Sequence, residues 1–355
     1  MQDLNNNNSI HNNDAKTMND SDLDVNFIYE DGRTPLFDAD PEQALILVKA
    51  GAKVNIQDSH GETALFRAGE EKSQILIDAG IDVNLRDNKG KTALFGAYPK
   101  MTQCLIQGGI DVNITDCNGQ TALFCATIEN SIKYLIEAGI DVNIQDKDGR
   151  TALFRSNEMK TKLLIAAGAD VNIKSKMGHT PIFSTFDKGS IQALWEAGAD
   201  LNVQDCDGKT ALFRSNGDKA KQLIQLGINV NIRDEENQTA LFSVFDENAA
   251  KAIIEAGAEV DARDDEGRTP LFYSLPEKAK VLIEAGADIN AQNKKGQTVL
   301  FITGNVDVLK VLLEAGADVN IKDNNGETAI HRASEEKAKL LIQAGADPND
   351  WKEKE

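Results

Sequence analysis

Apolar and polar positions along the chain recur with a period of about 30 residues, which is typical of repeat proteins. The recurring segment is Thr-x-Leu-Phe or a close variant, and it returns eleven times, in steps of two lengths that differ by a single position. A unit this short cannot enclose a core and must bury its apolar face against its neighbours. The pattern therefore predicts a stack of copies. We number them 1 to 11 by their threonines: Thr34, Thr63, Thr92, Thr121, Thr151, Thr180, Thr210, Thr239, Thr269, Thr298 and Thr328.

Within each copy the pattern predicts a turn and two helices. In copy 2 the turn spans residues 58–61, where Asp can bond its own backbone and Gly supplies a positive φ angle. Thr63 is expected to cap a short helix whose Phe66 points into the stack. A second helix carries paired apolar residues and ends at Gly80 in the left-handed conformation. Predicted caps and first-turn prolines of the second helices are Asp40, Asn157, Asp187, Asp246, Ser334, Pro41, Pro99 and Pro276.

This succession of turn, Thr-Ala/Pro-Leu, short helix and helix ending in Glu-Ala-Gly-Ala-Asp-Val-Asn resembles the ankyrin repeat over about residues 24 to 350. The resemblance implies an all-α fold, a helix-turn-helix solenoid with short hairpin-like loops between repeats. The copies are shorter than the usual repeat of about 33 residues, and the deficit falls between the helices. The first helix is therefore expected to be only one or two turns long.

A second departure from the ankyrin pattern is the residue after Thr-Pro-Leu, which is Phe in ten copies and the family's His only at His331. In the family that His is understood to join neighbouring loops by hydrogen bonds, so Phe must replace a polar link with buried area. We predict a buried ladder of ten stacked rings; an exposed binding strip is the alternative. The rings are Phe37, Phe66, Phe95, Phe124, Phe154, Phe183, Phe213, Phe242, Phe272 and Phe301.

The same reasoning predicts the domain organisation. Residues 1–22 are polar and Asn-rich and read as a disordered tail. Residues 23–350 form a single solenoid of about eleven repeats, and residues 351–355 form a charged end whose Trp351 covers the last copy.

Composition favours a soluble, cytoplasmic protein that is a monomer when free. No run approaches the roughly 20 apolar residues that a membrane span requires, and the first twenty residues lack the features of a secretion signal. Four cysteines in 355 residues do not form a disulfide framework, which favours a reducing compartment.

Candidate chemistry is sparse. The four histidines are scattered, so we expect no metal site and no cofactor. Two turns with the pattern Asp-x-Asp-Gly lack the closing Glu of a calcium loop, and no catalytic motif is present. The chain is therefore not expected to be an enzyme. Its net charge of −19 argues against nucleic acid as a partner.

Three sets of residues are candidates for contact with a partner protein. Each also has an ordinary structural interpretation, as solvated turn residues or as plugs of the short turn between the helices. The residues after the turn glycine are Lys91, Gln120, Arg150, His179, Lys209, Gln238 and Arg268. Those after the Phe are Arg67, Arg155, Arg214 and Tyr273, and the aromatic residues that break the repeat are Tyr98, Phe186 and Phe245.

The resulting hypothesis is a non-catalytic scaffold that grips a partner protein along its concave and loop surface, as most ankyrin arrays do. A specific form is an inhibitor, such as an immunity protein that occludes a toxin. The alternative is an adaptor or secreted effector that recruits host or cellular proteins.

Overall fold

A computed structural model describes residues 24–351, and within that span every regular element is a helix. The predicted disordered tail and most of the predicted charged end lie outside the described residues. The chain divides into two compact units at Lys147 and Asp148. Unit 1 holds copies 1 to 4 and unit 2 holds copies 5 to 11.

The second helix has the same length, nine residues, in every copy. In unit 1 these helices span Pro41–Lys49, Glu70–Asp78, Pro99–Gln107 and Glu129–Glu137. In unit 2 they span Glu158–Ala166, Lys188–Glu196, Gly217–Gln225, Glu247–Glu255, Pro276–Glu284, Val306–Glu314 and Glu335–Gln343. The described chain ends with a short 3₁₀ turn, Pro348–Asp350.

The first helix is a single turn of four residues, which confirms the predicted shortening. It is α-helical at Pro35–Asp38, Ala122–Cys125, Pro181–Ser184, Ala240–Ser243 and Val299–Ile302. It is 3₁₀ at Ala64–Arg67, Ala152–Arg155, Ala211–Arg214, Pro270–Tyr273 and Ala329–Arg332. In copy 3 residues 93–96 form only a turn.

Most predicted caps of the second helix are confirmed. The Asp40 carboxylate accepts from the Gln43 amide in a capping box. The side chains of Asn157, Asp187 and Asp246 each accept from the backbone amide three residues later. Ser334 is an exception, since its side chain makes no cap hydrogen bond in the described chain. Pro41, Pro99 and Pro276 each begin a helix, as predicted.

The repeat threonines occupy the N-cap position of the first helix, but their predicted capping bond is missing in most copies. The hydroxyls of seven of them are buried without a hydrogen-bond partner among the described residues: Thr63, Thr92, Thr151, Thr180, Thr239, Thr269 and Thr298. In copy 11 the hydroxyl and amide of Thr328 instead lie 3.1 and 3.2 Å from Nδ1 of His331. A phenylalanine ring has no atom to offer in that place, so replacing His with Phe leaves the hydroxyl unsatisfied.

Hydrogen bonds join each turn to the next within a unit. The Asp58 carboxylate accepts from the amides of His60 and Glu62, which closes its own turn. The Asn88 amide then donates to the His60 carbonyl across copies, and the Asp82 amide donates to the Asn55 side chain. The turns and extended arms are thus tied along the stack independently of the helices.

The core lies between the helix layers, where Leu65 and Leu76 are fully buried in copy 2. The phenylalanines depart from the predicted ladder. Phe37, Phe154, Phe213 and Phe242 are buried, whereas Phe66, Phe95, Phe124, Phe183, Phe272 and Phe301 are only half-buried. The predicted ladder of buried rings is therefore wrong at these six positions. The third position of a one-turn helix lies near the edge of the layer, where the next copy covers the ring to a variable extent.

From copy 4 onward longer and shorter copies alternate, the step from Thr121 to Thr151 being one position longer than the step from Thr151 to Thr180. The longer copies have an α-helical first helix and three residues before the second helix; the shorter ones have a 3₁₀ helix and two. The shorter copies also place a buried lysine at the third position of the second helix: Lys160, Lys219, Lys278 and Lys337. The structural period in this part of the chain is thus a pair of copies.

Candidate functional site

Two rows of side chains lie beside one another on each unit, the residues just after the turn glycine and the residues just after the repeat Phe or His. Their adjacency is visible in copy 2, where Arg67 Nε lies 3.2 Å from a Glu62 carboxylate oxygen. In copy 11 Arg332 lies 2.8 Å from Glu327. We call the two rows together the turn face. It contains eleven of the fourteen predicted contact residues.

The first row of the turn face is half-buried, and most of its predicted residues are bonded to turn aspartates. His179 Nε2 lies 3.2 Å from the carboxylate of Asp205 in the next turn, and its ring stacks on Phe183. Lys209 reaches to 3.8 Å from the buried Asp234. The remaining predicted residues of this row have these neighbours: Gln120 with Asp146, Gln238 with Asp264, Arg268 with Asp264, Arg150 with Asp148, and Lys91 with the Phe95 ring.

Tyr273 is held in this network as well. Its hydroxyl donates to the Asp264 carboxylate at 2.9 Å, the Arg268 guanidinium lies 5.0 Å from its ring centre, and the ring packs against Phe242. Burial and the bond to Asp264 raise the pKa of the Tyr273 hydroxyl. The residue is a fixed, uncharged part of the face.

The second row differs sharply between copies. Arg67 and Arg332 are each paired with the Glu five residues earlier. In copies 5 and 7 that earlier position is Arg150 or Lys209, so no carboxylate is present there for Arg155 and Arg214. Both guanidinium groups are exposed, and neither forms an ion pair within residues 24–351.

Tyr98, Phe186 and Phe245 lie outside the turn face, in the link between the two helices, and all three are exposed. Tyr98 is 73% exposed, which excludes the plug interpretation for it. The other two rings lie over buried ammonium groups: Lys219 Nζ is 4.4 Å from the Phe186 ring centre and Lys278 Nζ is 5.9 Å from that of Phe245. Each ring still leaves more than half of its surface to solvent.

These buried lysines were missed by sequence reasoning. Lys219 Nζ donates to the carbonyl oxygens of Ile182 and Phe183 at 2.9 Å, and Lys278 Nζ donates to that of Phe242 at 3.2 Å. The carbonyls belong to the α-helical first helix of the preceding copy, whose end would otherwise leave them unsatisfied. Burial lowers the pKa of both lysines to about 7. A lysine returning in every second copy at a fixed helical position is the signal that could have revealed them.

No group of His, Cys, Asp and Glu suited to hold a metal ion occurs among the residues that the structure describes. The four cysteines are free thiols, buried at Cys104 and exposed at Cys117, Cys125 and Cys206. None of the described helices has the length and apolar character of a membrane span.

The stacked pairs of short helices, joined by bonded turns, define a helical repeat protein. The family described as "Ankyrin repeats (3 copies)" matches residues 93–160, 214–293 and 275–350, more than half of the chain. The chain therefore belongs to the ankyrin repeat family, and the predicted all-α fold is confirmed. Ankyrin repeats are protein–protein interaction domains, and the family is generally a non-catalytic scaffold. No curated protein that was compared matches the chain in sequence.

Proposed function

We propose that this chain is a non-catalytic scaffold whose turn face in unit 2 docks a partner protein. The observation that carries the proposal is the contrast among equivalent arginines. Arg67 and Arg332 are neutralised by a neighbouring Glu, whereas Arg155 and Arg214 are exposed beside other cations. Charges that the fold does not neutralise are available to a partner.

The mode of action that we propose is inhibition in the cytoplasm by a monomeric chain, with the toxin-directed form of the hypothesis as its specific case. A partner whose active site was covered by a turn face of several copies would lose access to its substrate. Three exposed free thiols, at Cys117, Cys125 and Cys206, suit a reducing compartment.

The docking proposal is tested by removing charge from the turn face. After affinity purification identifies the partner, Arg150→Ala with Arg155→Ala should weaken its binding about tenfold or more, since a few anchor residues dominate most interfaces. The thermal midpoint should change little, because Arg155 is exposed and Arg150 is only half-buried. Lys162→Ala with Lys221→Ala removes two cations from exposed positions of second helices and serves as the control. Unchanged affinity in the arginine variant would place the interface elsewhere.

The inhibitory form is tested by the activity of the captured partner. Stoichiometric addition of this chain should abolish that activity. A partner that keeps its full activity while bound would contradict inhibition and favour the adaptor or effector alternative.

A further inference from the structure

Copies 5 and 7 place like charges at a spacing where copies 2 and 11 place a salt bridge. The contact between residues five apart on the turn face is 3.2 Å in copy 2 and 2.8 Å in copy 11. At the same spacing copy 5 has Arg150 and Arg155, and copy 7 has Lys209 and Arg214. Neighbouring like charges destabilise a fold slightly. Within residues 24–351 no carboxylate pairs with Arg155 or Arg214, so their charges are available to an external anion.

The two cationic positions flank a less polar centre. Copy 6 lies between them and presents the half-buried Phe183 ring stacked on His179. Its second-row residue is Ser184, whose hydroxyl is bonded to the Phe154 carbonyl and is therefore occupied. Copies 5, 6 and 7 thus present Arg155, the Phe183 ring and Arg214 in that order, and we call these three residues the strip.

We propose that this strip binds an acidic segment of the partner protein, with carboxylates at both ends and an apolar side chain between them. The proposal rests on the proposed function. Stacked helices lie roughly 10 Å apart, so Arg155 and Arg214 are separated by roughly 20 Å. An extended chain rises about 3.3 Å per residue, which places the two acidic ends about six residues apart.

The net charge of −19 does not prevent binding of an acidic segment. Exposed charges farther away than about 8 Å are largely screened at physiological ionic strength, so the cations of the strip determine the local electrostatic attraction. Three carboxylates of the neighbouring turns are already engaged, Asp148 with Arg150, Asp205 with His179 and Asp234 with Lys209.

Binding of labelled peptides to the full chain tests the proposal by fluorescence anisotropy. The probe is Glu-Glu-Gly-Ser-Leu-Ser-Gly-Glu-Glu, compared with versions in which Gln or Lys replaces every Glu. In low salt the Glu peptide should bind about tenfold more tightly than the Gln peptide, since each exposed ion pair adds only a modest amount, and the Lys peptide should bind most weakly. Arg155→Glu with Arg214→Glu should abolish the preference for Glu, while Arg332→Gln, in a copy that already has its own Glu, should preserve it.

Equal binding of the Glu and Gln peptides would overturn the acidic-segment proposal, as would a preference for Glu that survives the double charge reversal. A single-stranded oligonucleotide that outcompetes the Glu peptide would overturn it in favour of nucleic acid. These failures are distinct from failure of the proposed function. A captured partner that needs Arg150 and Arg155 but binds equally well at high salt would leave the docking surface valid and make its acidic character wrong.

Discussion

The ammonium nitrogen of Lys219 donates a 2.9 Å hydrogen bond to the carbonyl oxygen of Phe183, 36 residues earlier in the chain. The side chain is 1% exposed, and the Phe186 ring lies over its charged end. The same link joins Lys278 to Phe242 one pair of copies later, and Lys72 to Phe37 in unit 1. Each lysine completes the end of a one-turn helix that belongs to the preceding copy.

The buried lysines make stability depend on pH. Burial lowers the pKa of Lys219 to about 7, whereas the unfolded chain keeps the ordinary value of 10.5. Between these values the unfolded state binds more protons, so the free energy of unfolding rises as pH rises. From pH 7 to 9 we expect a gain of about 1–3 kcal/mol per lysine, measured by urea denaturation at several pH values.

Lys219→Met should reduce that pH dependence by the share of one lysine, because methionine does not titrate and Lys278 still does. Lys221→Met, two residues later and exposed, should keep the wild-type slope. Identical slopes in the wild type and Lys219→Met would show that the lysine keeps an ordinary pKa in the folded chain.

Burial of the repeat phenylalanines should decide what their removal costs. Phe154 is 4% exposed, so Phe154→Ala should lower the free energy of unfolding by about 3–5 kcal/mol. Phe272 is half-buried, and Phe272→Ala should cost about half as much. Denaturant titration of both variants gives the comparison. A cost below about 1 kcal/mol for Phe154→Ala would contradict its place in the core.

His331 suggests how the unsatisfied threonines could be relieved. In Phe272→His, Nδ1 could meet the orphaned Thr269 hydroxyl as His331 meets that of Thr328. A gained bond of about 1 kcal/mol should largely offset the lost ring area, and thermal unfolding should change little. Phe242→His should destabilise clearly, because Phe242 is 2% exposed and the second ring nitrogen would be buried. Equal losses in the two variants would refute this distinction.

Alanine substitutions at two glycines with similar backbone conformations should distinguish the cost of backbone strain from the cost of a steric clash. Gly178 has φ +77° and Gly198 has φ +89°, so alanine at either position should cost about 1 kcal/mol. A Cβ on Gly178 would also lie 2.8 Å from the Cys206 amide nitrogen, whereas none of the atoms that surround Gly198 lies within 4 Å of such a Cβ. Gly178→Ala should therefore lower the free energy of unfolding by roughly a further 1–3 kcal/mol. Thermal unfolding should show this as a lower midpoint for Gly178→Ala than for Gly198→Ala. Equal thermal midpoints for the two variants would mean that the turn of the next copy shifts to make room for the added Cβ.

Sequence reasoning succeeded where the determinants are local. The repeat period, the second helices, the turn aspartates and caps such as Asp40 and Asn157 depend on residues a few positions apart. It failed at Ser334 and at the threonine caps, because a suitable residue at the right position does not guarantee the orientation of its side chain.

The candidate site was only partly foreseeable. The place of the turn-face residues in the fold follows from the repeat, since each lies at a fixed distance from its turn glycine; their contact with a partner stays a prediction. Which of their charges are neutralised was not evident: Arg67 meets Glu62 and Lys209 meets Asp234, and only the folded geometry brings each pair together. The exposure of Tyr98 likewise depended on whether the link between the helices had room for its ring.

By itself, the sequence determined that this is a repeating stack of helix pairs, because apolar spacing, turn residues and helix ends act within one copy. Only the tertiary structure decided which rings are covered, which threonine hydroxyls are left without a partner, and that a lysine can be buried. Those outcomes depend on backbone atoms of the adjacent copy, such as the Phe183 carbonyl that Lys219 reaches, and a single repeat does not contain them.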